Sequence, residues 1–219
     1  MLKYIWIDGT GLDLRSKQRT LTKQIHSVSG LPYWNYDGSS TYQAVTSNSE
    51  VILKPAAVYW DPFRKGNSVL VVCETYRYAD TEFKELISTE SNFSSIFAKI
   101  MEEAKEAKPW FGIEQEYTLF EHTGRNSKWP LGLSKGGFPG PQGAYYCSVG
   151  SANCFGRPVM DAHYRACLHA GVQISGTNGG NFLLRQSTGT LRFLAVPAIR
   201  RFTARTGKLL WREMSVPVP

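Results

Sequence analysis

The 219 residues predict an α+β fold, and three observations carry that expectation. Short segments rich in β-branched and aromatic residues crowd the first third of the chain. An apolar stripe with helical spacing begins at Phe93, and a second helical segment lies between Pro158 and Gly171.

Leu2–Asp8 alternates and is rich in β-formers, and Gly9-Thr10-Gly11 supplies a turn into a partner strand over Leu14–Leu21. A loop around Ser29-Gly30-Leu31-Pro32 leads to Trp34-Asn35-Tyr36, followed by Asp37-Gly38-Ser39-Ser40. Val51–Leu53, Val58–Trp60 and Ser68–Cys73 read as separate short strands, divided by Pro55, by Asp61-Pro62 and by Lys65-Gly66-Asn67. Phe93, Ile96, Phe97, Ile100, Met101 and Ala104 then fall on one face of a helix that ends before Pro109. Trp110–Phe120 is strand-like, Gly132–Gly143 is a long shaped loop, and Arg157–Ala170 is a second helix. The change of character places a domain boundary near residues 78–88.

Composition excludes several classes of function. Hydrophobic residues at 42% and charged residues at 20% are those of an ordinary globular chain. No apolar run is long enough to span a membrane. Cys73, Cys147, Cys154 and Cys167 show no C-x-x-C pairing and read as reduced thiols of a cytoplasmic protein. The net charge of +7 is concentrated at one end. Residues 180–219 hold seven basic residues and one acid, Glu213, whereas the rest carries 18 basic and 17 acidic side chains. A nearly neutral body gives no electrostatic footprint for nucleic acid.

Chemistry could sit in three places. In Trp110–Leu119, alternate residues of a strand share a face, so Glu114 and Glu116 project together. Paired carboxylates repel unless a cation lies between them, and oxygen donors suit Mg²⁺ or Mn²⁺. A solvated strand face would tolerate the same pair, and Glu-x-Glu alone is a weak signal. Asp37-Gly38-Ser39-Ser40 reads equally as a turn or helix cap and as a carboxylate for holding or deprotonating a cationic substrate. Gly136–Gly143 either connects or shapes a pocket. His26, His122, His163 and His169 have no ligand spacing and read as structural or surface residues.

Taken in order, these segments carry more weight. Tyr4–Gly11, Trp34–Thr41, Asp61–Arg64, Phe111–Thr118, Gly137–Gly143, Tyr145–Cys147, Asp161–Cys167 and Ile174–Gly179 together resemble the eukaryotic-type glutamine synthetases over residues 3–179. The resemblance implies a β-grasp domain over 1–82, the first and incomplete part of the catalytic α/β domain over 83–179, and an aberrant basic tail over 180–219. It implies a cytoplasmic ATP-dependent glutamate–ammonia ligase, forming glutamine, ADP and phosphate through a γ-glutamyl phosphate. Its substrates are glutamate, ammonium and ATP, its metal Mg²⁺ or Mn²⁺, and its assembly a homo-oligomeric ring with sites shared between neighbours. No nucleic acid or membrane partner is implied.

By the same resemblance, Glu114 and Glu116 match the first two metal-ligand glutamates, and Glu114 also approaches the nucleotide phosphates. Asp37 matches the aspartate of the ammonium site, with Ser39 and Ser40 supporting its loop, and Glu50 matches a nearby acidic position on the substrate side. Family members carry a helical segment before the first strand, where this chain starts. After Asn178-Gly179 the family has two further metal glutamates, where this sequence has Gly180 and Ser187. The arginine-rich, acid-poor continuation reads as a shifted frame or a mis-spliced message. A transcript that is intact across codons 175–190 and encodes this tail would overturn that reading. The resemblance therefore implies negligible synthetase activity for this polypeptide alone. The alternative is a non-catalytic fragment that associates with full-length synthetase subunits.

Overall fold

A computed structural model describes residues 1–23, 25, 27–64, 66–80, 82, 84–121, 129–130, 146–150, 156–180 and 188–197. The chain is α+β, as the sequence predicts, and it separates into two compact units, Met1–Pro109 and a second that begins at Trp110. Among the described residues no helix is long and apolar enough to cross a membrane.

The first unit is built on a mixed six-stranded sheet. Its strands are β1 (Leu2–Ile7), β2 (Leu14–Arg19), β3 (Trp34–Asp37), β4 (Glu50–Trp60), β5 (Val69–Tyr78) and β6 (Leu86–Ser88). The order is β2-β1-β5-β4-β3, with β6 also on β5, and only the β1–β5 pair is parallel. Leu2, Tyr4 and Trp6 of β1 meet Val69, Val71 and Cys73 of β5 and Leu53 of β4 in one buried cluster, closed by Leu31. Ile5, Leu70 and Val72, at the intervening positions, are buried as well, so β1 and β5 are covered on both faces although Leu2–Asp8 reads as alternating.

Pro55 does not divide two strands as expected, because β4 runs unbroken from Glu50 to Trp60. Pro55 pairs with Cys73 and Ala57 with Val72, leaving Ala56 as an extra residue. The missing proline N–H thus falls at a bulge, where the ladder is already interrupted. The sheet also curls: the Lys17 ammonium of β2 lies 3.7 Å from the ring centre of Trp34 on β3 and donates to the Asn35 carbonyl at 2.7 Å. Lys17 and Arg19 of β2 both lie over Trp34, and with Arg15 they give this edge strand the charge that discourages pairing with another chain.

Helix α1 (Phe93–Glu103) forms where the periodicity places it, yet its apolar stripe stays at the surface. Phe93, Ile96 and Ile100 are each more than half exposed, and Ser94 is the buried residue of this helix. Periodicity specifies the helix but not what covers it.

In the second unit β7 (Trp110–Thr118) is followed by the short pair β8 (Phe120–Glu121) and β9 (Trp129–Pro130), then by α2 (Arg157–His169), β10 (Ile174–Gly180) and β11 (Thr188–Pro197). The expected loop over Gly132–Gly143 lies outside the described residues. Helix α2 keeps its expected punctuation, with Pro158 in the first turn and Gly171 at φ +81° just past the end. Gly171 N–H donates to the Leu168 carbonyl and Val172 N–H to Cys167, a Schellman closure. Met160, His163, Ala166, Cys167 and Ala170 form its buried side. β11, drawn from the basic tail, lies between β10 and β7 and is antiparallel to both.

Candidate functional site

The best-defined polar site of the first unit grows from the end of β3. Asp37 ends the strand and caps a single turn of 3-10 helix over Gly38–Thr41. Its Oδ1 accepts from the Ser39 amide at 2.9 Å and the Ser39 hydroxyl at 2.6 Å, and its Oδ2 from the Ser40 hydroxyl at 3.2 Å. Aspartate favours this position because its short side chain satisfies N–H groups that have no partner within the turn. The Ser39 hydroxyl and amide hold the Asp37 carboxyl below the usual aspartate range, so it is an anion at neutral pH.

The turn is locked from beneath. Gly38 is buried, and a β-carbon there would lie 2.4 Å from Val51 Cγ2. Gly38 N–H donates to the Ser49 carbonyl at 2.7 Å, and the Gln43 and Ala44 amides return to the Gly38 carbonyl at 2.9 and 3.2 Å. Glu50, the first residue of β4, is the direct partner of Asp37 in the β3–β4 register. Its Oε1 accepts from the Asn35 side-chain amide, so the structure brings these two sequence-predicted acids to one end of the sheet. Both are exposed. An anionic carboxylate, already ordered by three donors and still open to solvent, is suited to hold a small cation or accept its proton.

Glu114 and Glu116 occupy alternate positions of the regular strand β7, where Glu114 is opposite Arg192 and Glu116 opposite Thr190 of β11. Their side chains lie outside the described residues. Two carboxylates with hard oxygen donors suit a hard divalent cation better than a soft one. Among the described residues no group of three or more His, Cys, Asp or Glu could hold a metal. Gly180 ends β10, and Ser187 lies outside the described residues.

Sequence reasoning missed Gln43. Its Oε1 accepts from the Tyr36 phenol and from the Thr41 hydroxyl at 2.9 Å, and its Nε2 donates to the Ile7 carbonyl at 3.1 Å and Ser91 Oγ at 3.0 Å. No periodicity marks such a residue; only its position six residues after Asp37 associates it with the turn.

No family model matches the chain. Individual proteins do. The chain is 55% identical over 179 residues to the glutamine synthetase leaf isozyme, chloroplastic, of Hordeum vulgare, covering 81% of this chain and 39% of that protein. It is 52% identical over 177 residues to glutamine synthetase cytosolic isozyme 1-5 of Arabidopsis thaliana and to glutamine synthetase root isozyme 4 of Zea mays, covering 81% of this chain and 48% of each. The chain thus spans less than half the length of these relatives.

Proposed function

We propose, from the premise that the matched part of this chain belongs to the eukaryotic-type glutamine synthetase family, that it carries two parts of a glutamate–ammonia ligase: the ammonium-side turn and the first pair of metal carboxylates. The reaction is the ATP-dependent joining of ammonia to glutamate through a γ-glutamyl phosphate. Residues 1–82, within the first unit, are then the family's β-grasp domain, residues 83–179 begin the catalytic domain, and 180–219 form a tail foreign to it.

Asp37 would hold ammonium and take one of its protons, leaving ammonia with the lone pair that attacks the acyl phosphate. Glu50 adds a second negative charge beside it. Glu114 and Glu116 would hold Mg²⁺ or Mn²⁺, with Glu114 also near the nucleotide phosphates. The cation supplies charge neutralisation for the transferring phosphoryl group. The single observation that supports the reading is the geometry of Asp37, a solvent-facing carboxylate kept ionised by Ser39 and Ser40 at the end of a rigid strand pair.

Purified 219-residue chain, given ATP, glutamate, ammonium and Mg²⁺, is expected to form no glutamine above background, since Gly180 and Ser187 stand where the family has glutamates. Removing one well-placed electrostatic group typically costs about 10²–10³ in rate. Sustained synthesis by the chain alone would overturn this. Ammonium titrated into the labelled chain is expected to shift the Asp37 carboxyl resonance, and no shift at Asp37 would remove its assigned role. A second reading, association with full-length synthetase subunits in a cytoplasmic ring, draws support from the exposed apolar stripe of α1. Failure to co-purify with a co-expressed full-length synthetase would sink it.

A further inference from the structure

We propose that Gln43 is the positioning residue of the Asp37 turn, tying it to β1, β3 and the residue that leads into α1. The inference rests on the role proposed for Asp37 and extends it to a side chain that touches no substrate.

The geometry sets the orientation of the amide. The Ile7 carbonyl can only accept, so the atom facing it at 3.1 Å must be the Nε2 donor. Oε1 then faces two hydroxyls, those of Tyr36 and Thr41, both able to donate. The second Nε2 proton reaches Ser91 Oγ at 3.0 Å, with Thr75 Oγ1 at 3.4 Å sharing it. One side chain therefore joins the last residue of β1, the middle of β3, the end of the 3-10 turn, and Ser91.

The backbone of the same residue closes the turn, because Gln43 N–H donates to the Gly38 carbonyl at 2.9 Å. The segment between Gly38 and Gln43 contains Ser39 and Ser40, which donate to Asp37. A run of serine and threonine in a turn would ordinarily sample several conformations. Held at both ends, it keeps its donors on the carboxylate before any substrate arrives, so less ordering remains to be done on binding. A linked polar network of this kind acts as a unit and is sensitive to loss of its central member.

The test uses the full chain labelled with ¹³C and ¹⁵N, without ammonium. In Gln43→Met the Asp37 carboxyl midpoint is expected to move up toward the ordinary aspartate value. Amide exchange at Ser39 is expected to quicken roughly three- to tenfold, while amide exchange in β5 stays unchanged. Tyr36→Phe keeps the ring against Trp6 and removes one donor to Oε1; it should move both readouts the same way by less. That variant carries the test if Gln43→Met does not fold. Unchanged Asp37 titration and Ser39 exchange in the folded variants overturn the proposal. So does an equal rise in exchange throughout β1 and β5, which would make Gln43 merely structural. Because no ammonium is present, these outcomes are separate from the ammonium titration that tests Asp37 itself.

Discussion

Gly9 approaches Tyr42 so closely that a β-carbon on the glycine would lie 2.0 Å from the Tyr42 carbonyl oxygen. The contact is fixed by the Gly9 N–H, which donates to the Thr41 carbonyl at 2.8 Å. The turn between β1 and β2 and the turn after Asp37 are therefore packed backbone to backbone. Gly9→Ala must push one away from the other, and a destabilisation of about 2–3 kcal/mol is expected from overpacking. Urea unfolding followed at Trp6 and Trp34 measures it; a midpoint equal to that of the unaltered chain would show that the contact yields freely.

Tyr42 itself sits in the left-handed region, at φ 62°, with three quarters of its surface exposed. A side chain there costs about 1–2 kcal/mol, and glycine avoids it at the expense of a more flexible unfolded chain. Tyr42→Gly is expected to stabilise the protein by about 0.5–1 kcal/mol. A lower thermal midpoint would mean that the ring makes contacts worth more than the strain.

Acid should loosen the first turn. Burial alone would raise the Asp8 pKa, but hydrogen bonds from Thr10 and Arg15 outweigh it and hold the carboxyl below the usual range. A carboxyl depressed on folding adds stability that is complete above its unfolded value, near 3.9. That stability is lost as pH falls through the lower folded value. Stability measured between pH 2 and 6 should show this acid limb, and Asp8→Asn should flatten it. An unchanged limb in the variant would assign the pH dependence to other carboxyls.

Leu53 of β4 is completely buried, in one cluster with Tyr4 and Trp6 of β1 and Val71 of β5. Leu53→Ala is expected to cost about 2–5 kcal/mol through the lost apolar contacts and the cavity left behind. Calorimetry on the full chain provides the measurement, and a loss below 1 kcal/mol would mean that the cluster collapses into the gap.

Removal of residues 181–219 should expose the ladder of β7. Its described pairing partner is β11, from Thr188↔Thr118 to Pro197↔Trp110. Amides of Trp110–Thr118 are expected to lose protection from exchange in the truncated chain, whereas those of β1 and β5 keep theirs. Full protection of β7 after truncation would show that β11 is dispensable.

Much of this architecture is legible in the residues. β1 and β3 follow from their β-formers, β2 from its place as partner strand after the Gly9-Thr10-Gly11 turn, and α2 from Pro158 and Gly171. The proline in β4 misleads, because a one-residue bulge and a strand break look alike until the partner's register is known. β11 was hidden for another reason. It lies in a segment that departs from the family pattern, and strand pairing depends on a partner distant in sequence. At the candidate site, Asp37 and Glu50 stand out through the resemblance, while Gln43 is visible only in three dimensions. A hydrogen-bonding hub depends on three separate stretches of chain, at Ile7, Tyr36–Gln43 and Ser91, arriving together.

Helix α1 has a practical consequence for anyone handling the molecule. Phe93, Ile96 and Ile100 form a greasy ridge in contact with water, so dilute and concentrated solutions should behave differently. Light scattering that climbs with concentration, and is suppressed by Ile96→Lys together with Ile100→Glu, would mark the ridge as the place where chains first stick.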